Sequence, residues 1–143
     1  MRGREMRAYI FYAILSAFFA SLVPIFGKLG LKDVDSTVAT TVGAFIMFAF
    51  LFLVAVWQGR TDVSSINGRA LLFIALSGIA GALSWLFYFM AVKGGRVPAV
   101  IAIDKTSVAL AIFLSWIVLK EELTPRTVLG ALLIVVGALL VSL

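Results

Sequence analysis

The sequence predicts an all-α integral membrane protein with five transmembrane helices. Of its 143 residues, 63% are hydrophobic and 13% are charged, and the mean hydropathy is +1.15. These values lie outside the range of soluble domains. The apolar residues form five runs, each close to the ~20 residues that a helix needs to cross the hydrocarbon core. We expect spans at Ala8–Phe26, Ser36–Trp57, Ala70–Val92, Pro98–Leu119 and Pro125–Leu143.

The first span follows the basic segment MRGREMR, an arrangement that resembles a signal peptide. The apolar run is long for a signal peptide, however, and no convincing small-residue cleavage site follows it. Four further spans come after it. We therefore expect a retained first helix.

The residues between the apolar runs are of types that commonly begin or end helices. Asp35 and Ser36 can cap the second helix, Pro98 opens the fourth, and Thr124 followed by Pro125 is a cap with proline at the first helical position. The longest connection is the polar loop GRTDVSSINGR before the third helix. We expect a single compact domain over residues 1–143.

The loop charges set the expected orientation. An odd number of spans puts the termini on opposite sides, and basic residues favour the cytoplasmic side. Seven basic residues share the N-terminal side, and four share the other. They are Arg2, Arg4, Arg7, Arg60, Arg69, Lys120 and Arg126 against Lys28, Lys32, Lys93 and Arg96. This favours a cytoplasmic N-terminus, but the bias is small enough to permit insertion in both orientations.

The residue types that the sequence contains and lacks limit its possible functions. The sequence has no Cys and no His, which excludes disulfides, Cys or His metal sites and haem ligation. The residues that give the net charge of +5 cluster between the apolar runs. This arrangement indicates contact with a membrane surface rather than binding of nucleic acid. No carboxylate pair or activated nucleophile is evident. We expect no enzyme activity, no metal and no cofactor.

Asp104 and Lys105 are the exceptional residues, because they lie side by side within the fourth span. A charge well inside a bilayer costs about 3 kcal/mol or more unless it finds water or a partner. Adjacent helical residues point about 100° apart, so we expect each charge to need a partner elsewhere. Asp104 continues through Ser107 along a small, polar face, whereas the face of Lys105 is more apolar. Asp104 is thus a candidate pathway residue for a cation or a coupling proton, with Ser107 on the same face. Lys105 is a candidate pathway residue that tunes this charge or meets an anionic group, or else a contact between helices or subunits. The alternative is a structural ion pair with a neighbouring helix.

Small and hydroxyl residues recur at helical spacing in three other spans. One stripe lies in each of the first three helices, and the predicted pathway residues Ser16, Thr41 and Ser84 belong to them. The stripes are Tyr12, Ser16, Ala20 and Pro24; Thr37, Thr41 and Ala44; and Ser77, Gly81, Ser84 and Tyr88. Such stripes predict either a solvated pathway or ordinary close helix packing.

Aromatic residues and glycines complete the candidates. Trp85 and Tyr88 can offer an aromatic surface to a cationic or amphipathic substrate, or they can be interfacial aromatics. Gly130 and Gly137 share one face of the fifth helix, and with Gly81 we expect them to serve helix packing.

Four stretches carry a resemblance to a known family: VPIFGKLGLKDVDST, ALSWLFYFMAVKGG, AIDKTSVALAIFLSWIVLKEELT and VLGALLIVVGALL. Together they resemble the EamA-type domain of the drug/metabolite transporter superfamily, in its short five-helix bacterial and archaeal form. The LKEEL before the last helix looks like the family's Leu-Gly-Glu-x-Leu. Lys120 stands where glycine is usual.

The resemblance implies one half of an inverted-repeat transporter bundle, since longer members carry two such units of opposite topology around a substrate pathway. Such repeats place the substrate near the bilayer midplane and allow alternating access. The resemblance therefore implies a secondary carrier of a small metabolite or drug-like solute in a prokaryotic cytoplasmic (inner) membrane. With one unit, we expect an antiparallel homodimer, with a parallel dimer or a heteromeric partner as alternatives. A non-transporting scaffold or accessory subunit and a channel are the competing functions.

Overall fold

The computed structural model describes residues 2–64 and 66–143, and the side chains among them from Ala8 onward. Its helices are α1 (Arg2–Gly30), α2 (Ser36–Trp57), α3 (Gly68–Gly94), α4 (Val97–Lys105), α5 (Ser107–Leu114), a π-helical segment (Ser115–Leu119) and α6 (Pro125–Ser142). The described part of the chain contains no strand. The protein is therefore all-α, as predicted.

Five stretches of helix are long and apolar enough to cross a membrane within the described residues. They are Ala8–Gly30, Ser36–Trp57, Gly68–Gly94, Val97–Leu119 and Pro125–Ser142. Few side chains in any of them are buried within the chain, so most of the apolar surface has to be covered by lipid or by another subunit. The five predicted spans are confirmed, with ends that shift by up to four residues. The basic side chains of Arg2, Arg4 and Arg7 are not among those that the structure describes.

The helix starts follow the predicted capping chemistry. The Asp35 carboxylate accepts hydrogen bonds from the backbone N–H groups of Thr37 at 2.8 Å and Val38 at 3.3 Å, which satisfies two of the orphan donors at the start of α2. The hydroxyl of Thr124 accepts from the backbone N–H of Thr127 at 3.2 Å, with Pro125 as the first residue of α6. Both predicted caps are confirmed.

The fourth span is interrupted, although the sequence predicted one continuous helix there. α4 ends at Lys105 and α5 begins at Ser107. At Thr106 the side-chain hydroxyl donates to the carbonyl of Ile103 at 2.7 Å, and the backbone N–H donates to the same carbonyl at 3.0 Å. These bonds to the third preceding residue compete with the α-helical pattern and tighten the backbone locally.

The chain divides into two compact units. One consists of α1 up to Leu29 together with Gly94–Leu143, and in it α4 and α5 pack against α6. The ammonium group of Lys28 donates to the carbonyl of Gly95 at 3.1 Å and so joins the end of α1 to the segment before α4.

The other unit is Gly30–Lys93 and contains α2 and α3. Lys93, in the last turn of α3, donates to the carbonyl of Val34 at 2.8 Å, just before α2 begins. This bond joins the end of α3 to the beginning of α2. The assignment of residues 1–143 to a single domain stays a prediction.

Candidate substrate site

A cleft of about 570 Å³ lies between α2 and α3. It is lined by Thr37, Thr40, Thr41, Ala44, Met47, Gly78, Gly81, Ala82, Trp85 and Leu86. The volume is within the range of small-molecule sites, which are mostly apolar with a few polar groups. The composition of this cleft fits that description, because three threonines supply the polar groups and the other lining residues are apolar or aromatic.

Two of the three threonine hydroxyls of the cleft donate hydrogen bonds to the backbone of α2. Thr40 donates to the carbonyl of Ser36 at 2.7 Å, and Thr41 donates to the carbonyl of Thr37 at 2.8 Å. Bonds to the fourth preceding carbonyl let hydroxyl residues sit inside an apolar helix without an unsatisfied donor.

Trp85 forms the aromatic part of the cleft. Its ring lies edge-on to Phe89, with centroids 5.5 Å apart and planes 88° apart, an arrangement that suits the charge distribution of aromatic rings. A Cβ placed on Gly43 of α2 would lie 3.6 Å from Cζ3 of Trp85. The indole thus packs beside the glycine of the facing helix.

Five of the residues singled out from the sequence come together here: Thr37, Thr41, Ala44, Gly81 and Trp85 all line the cleft. Two others on α3, Ser84 and Tyr88, are not among the lining residues; the Tyr88 ring contacts Phe89 with centroids 5.9 Å apart. No described atom comes within 4 Å of a Cβ built on Gly81. This glycine therefore leaves open space in the cleft and does not make a close contact with another described residue.

The sequence reasoning missed part of this site because it followed a different face of α3. The predicted stripe contains Ser77, Gly81, Ser84 and Tyr88, whereas the cleft uses Gly78, Gly81, Ala82 and Trp85. At 100° per residue the centres of the two faces are about 80° apart. The signal for the second face was its spacing of three, four and seven residues from Gly78.

Asp104 and Lys105 lie at the interruption of the fourth span, in the other unit. The Lys105 ammonium nitrogen is 3.0 Å from Oδ2 of Asp104. The side chains are 57% exposed for Lys105 and 32% exposed for Asp104. The last two residues of α4 therefore form a partly exposed charged pair within a membrane span.

This pairing corrects the expectation that two adjacent residues could not satisfy each other. That expectation assumed a continuous helix with fixed side-chain directions 100° apart. α4 ends at Lys105, and the flexible four-carbon stem of lysine can bring its head back to a neighbouring carboxylate. The partial exposure of the pair still leaves both groups accessible to water, solute or another subunit.

The remaining predicted residues lie in the same unit as the pair. Ser107 is the first residue of α5 and is exposed, as is Ser16 on α1. Gly130 and Gly137 on α6 are half-buried, and a Cβ built on either meets no described atom within 4 Å. Neither glycine therefore makes a close contact within its own unit.

The segment after the fourth span has its own geometry. Lys120 has a left-handed backbone (φ 59°, ψ 29°), and its backbone N–H donates to the carbonyl of Ser115. This is the conformation that glycine adopts most readily, which explains the glycine usual at this position in the resembling family. Lys120, Glu121 and Glu122 line a shallow pocket of about 350 Å³ with Trp116 and Ile117.

Two loop carboxylates are held in the ionised form. The backbone N–H groups of Thr37 and Val38 lower the pKa of the Asp35 carboxyl, with smaller contributions from the Thr37 side chain and the positive charge of Lys93. Hydrogen bonds from the side chain and backbone of Ser64 lower the pKa of Asp62. A carboxylate that accepts several hydrogen bonds is stabilised in its charged form. Asp35 is therefore a fixed negative charge where α2 begins.

The five apolar spans define a multi-pass membrane protein. The chain belongs to the EamA-like transporter family, whose pattern it matches over residues 7–143. A Sinorhizobium protein described as an uncharacterized transporter in cobO 3'region is 35% identical over 137 residues, which cover 95% of this chain and 97% of that protein. No solved structure matches significantly. The chain is thus a membrane transporter, which confirms the resemblance in the sequence.

Proposed function

We propose that the protein is a secondary carrier that binds a small metabolite or drug-like solute in the cleft between α2 and α3. The observation that carries this proposal is the cleft itself, because it combines a solute-sized volume with Thr41, Gly81 and Trp85 in a chain of a transporter family. Threonine oxygens and an indole face are groups that can orient a solute in an otherwise apolar site.

We further propose that the carrier is an antiparallel homodimer in which each chain supplies one half of an inverted-repeat bundle and transport proceeds by alternating access. Three observations support it. Asp104 and Lys105 are partly exposed in a span, and a charge there needs water or a partner. Gly130 and Gly137 leave open space on α6, and small residues of this kind allow close helix approach in membranes. The charge bias between the two sides is small.

The proposed location is the cytoplasmic membrane of a prokaryote. The seven basic residues on the N-terminal side favour a cytoplasmic N-terminus over the four on the other side. Both orientations are required if two copies pair in an antiparallel manner.

Solute counterflow in proteoliposomes tests the carrier. Vesicles preloaded with candidate solutes should show trans-stimulated exchange of the labelled solute, which a channel or a non-transporting scaffold does not give. Gly81→Leu should abolish that exchange, because its side chain enters open space in the cleft. Gly68→Leu is the matched control, since Gly68 also has open space around it but does not line the cleft. Equal exchange by the two variants would refute the cleft as the site, and absence of exchange across a broad panel would favour an accessory subunit.

Orientation mapping tests the homodimer separately. The sequence contains no cysteine, so Asp62→Cys and Lys32→Cys each introduce a single reactive thiol into loops on opposite sides of the predicted membrane. A membrane-impermeant maleimide should label each variant in part from outside and completely after permeabilisation. Labelling of only one of the two loops from outside would establish a single orientation and refute the antiparallel dimer.

A further inference from the structure

The hydrogen-bonding state of the cleft limits the kind of solute that it can hold. Each threonine hydroxyl has one proton to donate and two lone pairs with which to accept. Thr40 and Thr41 have given their protons to backbone carbonyls of α2. These two hydroxyls therefore offer acceptor lone pairs and no proton.

The side chains of the other lining residues do not replace these missing hydrogen-bond donors. Ala44, Met47, Gly78, Gly81, Ala82 and Leu86 bring no side-chain donor, and the cleft has no charged residue among those that line it. Apart from the Thr37 hydroxyl and the indole N–H of Trp85, its side chains can only accept hydrogen bonds or make apolar contact. A carboxylate or phosphate would find no cation here.

The beginning of α2 does not compensate. A helix N-terminus binds anions through its free N–H groups, and Thr37, which lines the cleft, lies in the first turn of α2. Those N–H groups are already occupied, because Thr37 and Val38 donate theirs to the Asp35 carboxylate. The chain has thus filled this potential anion site with its own negative charge.

We propose that the cleft selects apolar primary amines, which donate N–H hydrogen bonds to the hydroxyl oxygens of Thr41 and Thr37 and place their ammonium group against the ring face of Trp85. This inference rests on the proposed function and names its substrate class. The apolar body of such an amine contacts Met47 and Leu86, while Trp85 attracts the charge through its ring quadrupole. Exclusion of anions follows from the same arrangement.

Isothermal titration of the purified full-length protein in detergent tests this selectivity with three probes of similar size. 2-Phenylethylamine carries charge and donors, its trimethylammonium analogue carries charge without donors, and 3-phenylpropanoate is an anion. We expect 2-phenylethylamine to bind at least about fivefold more tightly than the quaternary analogue, the difference that one hydrogen bond makes. The anion should not bind at a tenfold higher concentration. Equal binding of either comparison probe would overturn the proposal.

Two variants assign the binding to the cleft. Thr41→Val keeps the shape but removes the acceptor, and it should weaken 2-phenylethylamine binding about 5- to 10-fold without changing the affinity of the quaternary analogue. Trp85→Leu should weaken both cations by about 5- to 30-fold. Thr61→Val, in the loop, and Trp57→Leu, at the end of α2 with its side chain 86% exposed, are matched controls that should change neither. Amine binding that survives both cleft variants would overturn the proposal.

Counterflow with the same probes separates this inference from the carrier function. Exchange of 3-phenylpropanoate that Gly81→Leu abolishes would leave the carrier intact and overturn the amine selectivity. Amine binding that requires Thr41 and Trp85, without exchange of any solute, would support the selectivity and refute the carrier.

Discussion

Replacement of Asp104 by Asn is expected to abolish solute exchange while the protein still inserts and folds. In the wild-type protein the carboxylate lies 3.0 Å from the ammonium group of Lys105, and both side chains are partly exposed, at 32% and 57%. Asn has nearly the same size and shape as Asp, so the substitution removes a charge without creating a cavity. Any change in transport can therefore be assigned to the charge.

The expected effect on stability depends on what the pair contacts. In a water-filled pathway an exposed ion pair contributes about 0–1 kcal/mol after side-chain entropy and solvent screening are taken into account, so Asp104→Asn should lower the free energy of unfolding by no more than about 1 kcal/mol. If the pair instead faces lipid, Lys105 is left without its partner, and the loss should approach about 3 kcal/mol. The substitution also removes one charge, worth about 3 kcal/mol, from the span that has to insert, so in a water-filled pathway insertion should not suffer. A tenfold or greater loss of exchange thus has to come from the missing carboxylate in the pathway.

The assay combines counterflow in proteoliposomes with denaturant unfolding of the same preparation. Asp33→Asn is the control, because it removes an exposed loop carboxylate that has no role in the proposed site. The swapped variant with Asp104→Lys and Lys105→Asp keeps an ion pair but moves the negative charge by one residue. It should unfold like the wild type and fail to exchange. Wild-type exchange by Asp104→Asn or by the swapped variant would refute the pathway role and leave a structural pair.

The local backbone chemistry gives further expectations, all measurable by unfolding. Lys120 has a left-handed backbone, so the free energy of unfolding of Lys120→Gly should lie within about 0.5 kcal/mol of the wild-type value, because relief of strain offsets the added chain entropy. Lys120→Val should be at least about 1 kcal/mol less stable than the Gly variant. The reverse order would contradict the assigned backbone. Thr124→Ala should lower stability by about 1 kcal/mol through loss of the cap of α6, and Thr124→Ser should restore most of it. Asp35→Ala should be less stable than the wild type at neutral pH. Because the pKa of Asp35 is lowered in the fold from its ordinary 3.8, its contribution is fully present above that value and disappears as pH falls through the folded pKa. A difference that persists at still lower pH would show that capping by the charged form is not its cause.

The five spans were predictable because their signals are additive over many residues. A run of about twenty apolar side chains outweighs any single exception, and the caps at Asp35 and Thr124 mark helix starts through local hydrogen bonds. The start of α3 was placed two residues late. There the side-chain oxygen of Asn67 accepts from the backbone N–H of Ala70 at 2.8 Å, a cap in a polar loop that hydropathy alone does not locate.

The candidate site was only partly predictable, because a helical face is known from sequence only to within the width of its stripe. Thr41, Gly81 and Trp85 were identified, but the polar residues Ser84 and Tyr88 drew the predicted face of α3 away from the one that lines the cleft. Glycines 78 and 81 contribute by the space that they leave. Empty space has no signature in the residue type, and it depends on which helix lies opposite.

The interruption of the fourth span shows a further limit, since threonine acts there in the opposite way from threonine in α2. Thr40 and Thr41 donate to the fourth preceding carbonyl, which preserves the α-helix and uses up the hydroxyl proton. Thr106 donates to the third preceding carbonyl, where the helix stops beside Asp104 and Lys105. The same side chain thus makes an acceptor-only surface in one helix and displays a charged pair in another. The choice between the two carbonyls is made by the backbone around each threonine, so it becomes visible only when the coordinates of that backbone are known.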